Sequence, residues 1–195
     1  MTRMTQAAGV LTMALIVGGA VAAATSAITE RKFMSGGTVR LSLSAGDYEI
    51  VASPDDRIRV TRTGRHADDD SVDVAIDVRG SRATVDVDGP LHDGVDARIE
   101  LPRRSDVVIS LSAGDLRMEG IEGSKDVSMR AGDLSIAVGA REQYRHVDAS
   151  VKIGDLNAEP FDVRKEGFFR SFEWKGKGTY DLSAHLMVGD LKLTN

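Results

Sequence analysis

The chain has no cysteine, four prolines, nine aromatic residues (one Trp, three Tyr, five Phe) and little imbalance of charge in 195 residues. Without cysteine there are no disulfides, no thiolate metal ligands, no cysteine nucleophile and no lipid-modified cysteine of a bacterial lipoprotein. Twenty-five basic residues against 30 acidic ones leave a net charge of −5, which argues against a broad nucleic-acid-binding surface. Beyond residue 27 no apolar stripe recurs at 3.6-residue spacing for long enough to form a helix, so helical folds are excluded. Nucleophile and zinc motifs are missing as well: there is no Gly-x-Ser-x-Gly, Ser-x-x-Lys or His-Glu-x-x-His. Neither composition nor motif therefore suggests an enzyme, a cofactor or a metal centre.

What the chain does contain begins with an export signal. Residues 1 to 27 hold one basic residue, Arg3, and no acidic one. An apolar run from Ala7 to Ala24 ends in Ala22-Ala23-Ala24-Thr25-Ser26-Ala27 before the charged cluster Glu30-Arg31-Lys32. A basic start, an apolar middle and an Ala-x-Ala end are the parts of a secretory signal peptide. An uncleaved membrane anchor is the competing reading, because the run approaches the roughly 20 residues that span a bilayer. Gly9, Gly18, Gly19 and the many alanines make the run weakly hydrophobic, which favours cleavage after Ala24 or Ala27. Either way the rest of the chain is expected outside the cytoplasm: periplasmic, secreted or on the cell surface. Residues 28 to 37 read as a linker, and 38 to 195 as one domain.

That domain reads as short period-2 segments such as Val39/Leu41/Leu43, Val85/Val87 and Val95/Ala97/Ile99/Leu101, the pattern of half-buried strands. Gly-Asp recurs five times between an apolar residue and Leu or Tyr, as Gly46-Asp47, Gly114-Asp115, Gly132-Asp133, Gly154-Asp155 and Gly189-Asp190. Before each Gly the apolar positions run in twos (41, 43, 45; 109, 111, 113; 127, 129, 131; 149, 151, 153; 184, 186, 188). They resume at 48, 116, 134, 156 and 191, an odd step of three. In a flat strand an odd step would turn the following side chains to the opposite face. Gly-Asp is therefore expected to be a corner that returns the chain to one interior, with Gly at φ > 0 and Asp capping backbone N–H groups. The reading is an all-β, parallel β-solenoid or β-helix-like single domain, with an antiparallel β-sandwich containing bulges as the alternative.

Ile99-Glu-Leu101-Pro102, the run Val107 to Gly120 with its Ser112-Ala-Gly-Asp-Leu116, Ile121-Glu-Gly123, and the second copy Val127 to Ile136 resemble a bacterial putative-adhesin family of unknown function with Gly-Asp-Leu β-strand repeats. The resemblance covers most of 38 to 195 and is clearest over 95 to 158. It implies an exported, right-handed β-solenoid-like domain, and the family offers no catalytic residues to carry over.

Among candidate sites, the repeated Asp47, Asp115, Asp133, Asp155 and Asp190 could line one edge and bind calcium. They have no second ligand at fixed offset, whereas calcium takes 6–8 oxygens, so turn capping is the reading adopted. His66-Ala-Asp68-Asp69-Asp70 reads as a solvated hairpin loop with ligand types but no defining spacing. His92, His146 and His185 are scattered, with His185 on the polar phase of its strand. Ser42, Ser44, Ser110 and Ser112 alternate with Leu or Ile, which assigns them to outer strand faces. The most individual segment is 161 to 180, which holds six of the nine aromatics: Phe161, Phe168, Phe169, Phe172, Trp174 and Tyr180. Phe168, Phe172 and Trp174 share one parity with Arg170 between them, and Lys175 follows. This aromatic-basic insertion is either a cap over the open end of a coil stack or a binding patch of Phe168, Arg170, Phe172, Trp174 and Lys175.

These features predict a non-catalytic envelope protein with a structural or adhesive role, whose partner is an envelope protein or a glycan. The alternatives are a membrane-anchored envelope-signalling accessory and a carbohydrate-binding or carbohydrate-active β-helix protein. The export reading has a direct check: intact mass of the exported chain should show loss of residues 1 to 24 or 1 to 27, whereas full mass would mean a retained anchor.

Overall fold

The computed structural model describes residues 27–63, 71–89 and 95–195. The signal segment, the His66–Asp70 cluster and His92 lie outside them. The described residues form seventeen β-strands and two single-turn 3-10 helices, arranged as two open sheets of mixed direction.

Six pairs of strands make the body. Each pair begins in one sheet, turns, and continues in the other: β2 (Gly37–Leu43) with β3 (Gly46–Ser53), β6 (Arg82–Asp88) with β7 (Val95–Pro102), and β8 (Ser105–Ala113) with β9 (Leu116–Glu119). The others are β10 (Lys125–Ala131) with β11 (Leu134–Ala137), β12 (Tyr144–Ile153) with β13 (Leu156–Ala158), and β16 (Tyr180–Val188) with β17 (Leu191–Thr194). Neighbouring pairs run parallel in both sheets. In space, however, the order is β6/β7, β2/β3, β8/β9, β10/β11, β16/β17, β12/β13. The first pair is thus flanked by the second and third, and the last is inserted before the fifth, so the pairs do not follow one another in chain order. The antiparallel strands at the edges leave the two-sheet arrangement compatible with the sandwich alternative as well. Antiparallel strands close the two ends. β1 (Ile28–Lys32), β4 (Arg57–Thr63) and β5 (Asp73–Arg79) lie at one end, and β14 (Val163–Lys165) and β15 (Phe168–Lys175) at the other. Residues 28 to 37, read from sequence as a linker, contain β1, and Phe33 belongs to the core.

The corners hold this arrangement in register. Gly114 has φ +114, and a Cβ placed on it would lie 1.9 Å from the carbonyl oxygen of Gly46. On Gly132 a Cβ would lie 1.8 Å from the oxygen of Gly114, and on Gly189 1.9 Å from that of Gly132. Backbone therefore packs on backbone along a column of corners, where no side chain fits. Each following Asp caps the next coil: the N–H groups of Asp115, Asp133, Asp190 and Asp155 donate to Oδ1 of Asp47, Asp115, Asp133 and Asp190 at 3.1–3.2 Å. Leu116, Leu134 and Leu191 continue the ladder by donating to the carbonyls of Asp133, Asp190 and Asp155.

The corners also revise the parity reading. The interior resumes at Tyr48, Leu116, Leu134, Leu156 and Leu191, all buried. The residue before each Gly is not part of it: Ala45, Ala113 and Ala131 are half-buried, and Ile153 and Val188 are each 47% exposed. The chain starts its turn one residue ahead of the glycine and carries that side chain outward.

Inside, equivalent residues align strand by strand, as in Val85, Leu41, Ile109, Val127, Ala184, Ala149 and Phe172 across one sheet. One interior position is charged. Lys125 is 2% exposed, and its Nζ donates to the Gly123 carbonyl at 3.1 Å and to the Tyr144 hydroxyl at 2.7 Å. Burial pulls its ammonium down to about 8, although Asp106 and Glu122 favour the charge, while burial pushes the Tyr144 hydroxyl up.

Two outcomes follow from this packing. Gly132→Ala should cost more than about 2 kcal/mol in chemical denaturation, because strain and overlap combine. The control Gly139→Ala, at φ +68 with nothing within 4 Å of the added carbon, should cost about 1 kcal/mol from conformation alone. Equal losses would contradict backbone contact as the reason for glycine. For Lys125, the unfolded chain binds the extra proton between pH 8 and about 10.4, so stability should rise across that window by on the order of 3 kcal/mol. Above about pH 10 ionisation of tyrosine in the unfolded chain opposes the rise, because buried Tyr144 stays neutral. Lys125→Met should flatten the dependence between pH 8 and 10; an unchanged slope would mean that the ammonium is not buried.

Candidate functional site

The sequence singled out acidic corners, histidines and the aromatic-basic insertion, and the fold treats them differently. Four of the five corner carboxylates are occupied as caps, Asp155 being the last in the row. Among the described residues no group of three or more His, Asp or Glu could hold a metal ion. His146 Nε2 lies 3.2 Å from Glu173, on the outer surface near one end. Lys175 Nζ is 3.0 Å from the same carboxylate. These two contacts, that of Lys175 first, hold the Glu173 carboxyl below its usual range.

The outer face of the eight-stranded sheet carries a row of small polar groups, because side chains in register repeat once per strand. Asp86, Ser42, Ser110, Ser128, His185, Ser150 and Ser171 are consecutive partners across the sheet. With Arg130, Lys152 and Met187 most of them line a shallow groove of about 790 Å³. His185 is held between two hydroxyls, with Nδ1 2.7 Å from Ser150 Oγ and Nε2 3.0 Å from Ser183 Oγ. Its second nitrogen meets a hydroxyl, where activation of a serine nucleophile calls for an orienting carboxylate. The arrangement can bind hydroxyl-rich or anionic groups.

The insertion divides between the two roles read for it. β15 pairs with β12 so that Trp174 faces Val147, Phe172 faces Ala149, Arg170 faces Val151 and Phe168 faces Ile153. Phe161, on a 3-10 turn, lies 5.3 Å from Phe172 and 5.2 Å from Trp174 between ring centroids. Phe161 and Phe172 are buried and Trp174 is half-buried, so these three rings cover the end of the core. Burying each Phe contributes about 1.5–3 kcal/mol.

Phe168 and Phe169 do the opposite, at 66% and 81% exposed. They open β15, directly after the Glu166-Gly167 turn from β14, where Gly167 has φ +107 and Phe169 has φ +52. A left-handed backbone is rare for a bulky residue and has to be held by its surroundings. Here Arg170 Nε donates to the Glu166 carbonyl, Lys165 Nζ donates to the Ser171 carbonyl, each at 2.5 Å, and Gly154 N–H donates to the Gly167 carbonyl at 3.0 Å. Of the five residues read as a binding patch, the structure thus exposes Phe168, makes Arg170 a brace, sends Phe172 and Trp174 to the cap and pairs Lys175 with Glu173.

Sequence reasoning missed the neighbours of Phe168. Ile153 and Val188, assigned from parity to the interior, stand beside it on adjacent strands, and Met187 is 45% exposed next to Val188. A signal was present: the residue before Gly is Ala in three motifs but Ile and Val in the two coils that reach this end.

No family model and no curated protein matches the sequence. Solved structures do match. A putative cell adhesion protein from Clostridium sporogenes aligns over 88% of this chain and 99% of its own, at 14% identity and a TM-score of 0.56. A putative adhesin from Bacteroides fragilis aligns over 87% of this chain and 97% of its own, at 10% identity and a TM-score of 0.38. The chain shares its all-β fold with the Clostridium protein, whose description agrees with the adhesin family that the Gly-Asp-Leu repeats resemble.

Proposed function

We propose that the chain is an exported, non-catalytic β-repeat protein of the bacterial cell envelope, a solenoid-like stack with a structural or adhesive role. Its adhesive end is the Phe168–Phe169 turn. The observation that carries this reading is the position and construction of that turn. β1, joined directly to the N-terminal segment, and β14, which leads into the turn, are opposite edges of the nine-stranded sheet. At about 4.8 Å per strand they stand about 38 Å apart. The rigid body thus presents two braced, exposed aromatics at the end opposite β1. Exposed aromatics rimmed by polar groups are a common form of interaction site.

The reading is tested with beads coated with the full chain and washed over immobilised envelope preparations. The double substitution Phe168→Ser/Phe169→Ser should reduce retention at least about fivefold, since the two rings are the largest exposed apolar groups at this end. Equal retention of both proteins would mean that the turn is not the adhesive element.

A further inference from the structure

Resting on that reading of the Phe168–Phe169 turn, we infer that this end of the molecule docks on the surface of an anionic phospholipid bilayer. Three observations point to that partner. The first is the apolar content. Phe169, Phe168, Ile153, Val188 and Met187 are 81%, 66%, 47%, 47% and 45% exposed. Ile153 is the register partner of both Phe168 and Val188, so the patch is continuous across β15, β12 and β16. None of the five carries a polar atom with which to orient a sugar or pair with a protein hydrogen-bonding group. Rings and aliphatic groups of this kind enter the boundary between headgroups and acyl chains.

The second observation is the state of the cations around the patch. Arg130, Lys152, Arg164, Lys165 and Arg170 form no ion pair among the described residues, a state they share with Arg31, Lys32, Arg40, Arg82 and Lys192. What sets them apart is their position on the strands that carry the apolar patch and next to it. Lys165 and Arg170 spend a donor each on backbone carbonyls and keep their charge free. Cations without a carboxylate partner beside an apolar edge complement lipid phosphates. The carboxylates nearby are Glu166, Asp155, Asp162, Asp190 and Asp133, of which Asp190 and Asp133 accept the N–H groups of Asp155 and Asp190. The third observation is the brace itself. A left-handed Phe169 held by Arg170, Lys165 and Gly154 keeps both rings outward in the absence of any partner, so docking costs little ordering.

The test is co-sedimentation of the full chain with vesicles of equal parts phosphatidylglycerol and phosphatidylcholine, and with phosphatidylcholine alone. The same N-terminal segment is present in every protein compared, so differences between variants isolate the far end. Wild type should pellet with the anionic vesicles, more weakly at high salt and at least about tenfold more weakly with phosphatidylcholine alone. Phe168→Ser/Phe169→Ser should lower the anionic-vesicle affinity about tenfold or more, with Trp174 emission unchanged as the sign of an intact cap. Lys152→Gln/Arg164→Gln should weaken binding severalfold and reduce its salt dependence. No pelleting, equal pelleting with both lipid mixtures, or equal binding by wild type and the Phe variant would each overturn the inference. If vesicles fail to bind while the Phe variant still loses retention on envelope preparations, the partner is a protein or glycan and the adhesive turn stands. If neither assay responds, both readings fall.

Discussion

The structure depends on one close approach, that of backbone to backbone at the stacked corners. A carbonyl oxygen of one coil occupies the space where the next glycine would carry a side chain. Five corners therefore lie in one column, and everything on either side inherits their alignment. Equivalent residues fall in register, the interior becomes rows of Val, Leu, Ile and Ala, and the outer face becomes rows of serine. The Asp after each glycine completes the arrangement, because its carboxylate accepts an N–H that the turn would otherwise leave without a partner.

The two sheets built in this way have open edges, and the molecule ends them differently from its middle. Parallel pairing gives way to antiparallel strands at both limits. At the end formed by β14 and β15, Phe161, Phe172 and Trp174 cover the last coil. The same strand that provides two of those rings also carries Phe168 and Phe169 outward. Covering and displaying are thus one construction: the cap fixes β15, and the braced turn at its start projects from a rigid base. The outward row beside it grows from Ala131 through Val188 and Ile153 to Phe168, so apolar surface accumulates toward one corner of the molecule.

Not every feature serves recognition. Lys125 occupies an interior position in line with Val107 and Leu182, where a hydrocarbon would be expected from its neighbours. Its partners, Tyr144 and the Gly123 carbonyl, tie β10 to the start of β12. The serine row and His185 form a shallow groove whose hydrogen bonds are partly used internally, which leaves the exposed turn as the more strongly built surface.

Period-2 alternation by itself determined the all-β class, because it records which side of a strand meets water at each residue. Recurrent Gly-Asp determined the corners, since the odd step across them demands a turn that only glycine accommodates. The shared parity of Phe168, Phe172 and Trp174 was also legible, but the structure buries Phe172, half-buries Trp174 and exposes Phe168 beyond the left-handed Phe169. Tertiary structure decided the rest. Coil order is set by pairings between strands far apart in sequence, which local patterns do not encode. The outward turn of Ile153 and Val188 arises where the corner starts, one residue ahead of the glycine, a backbone property that alternation cannot register. The division of one aromatic segment into buried cap and exposed turn depended on which rings found the end of the core within reach.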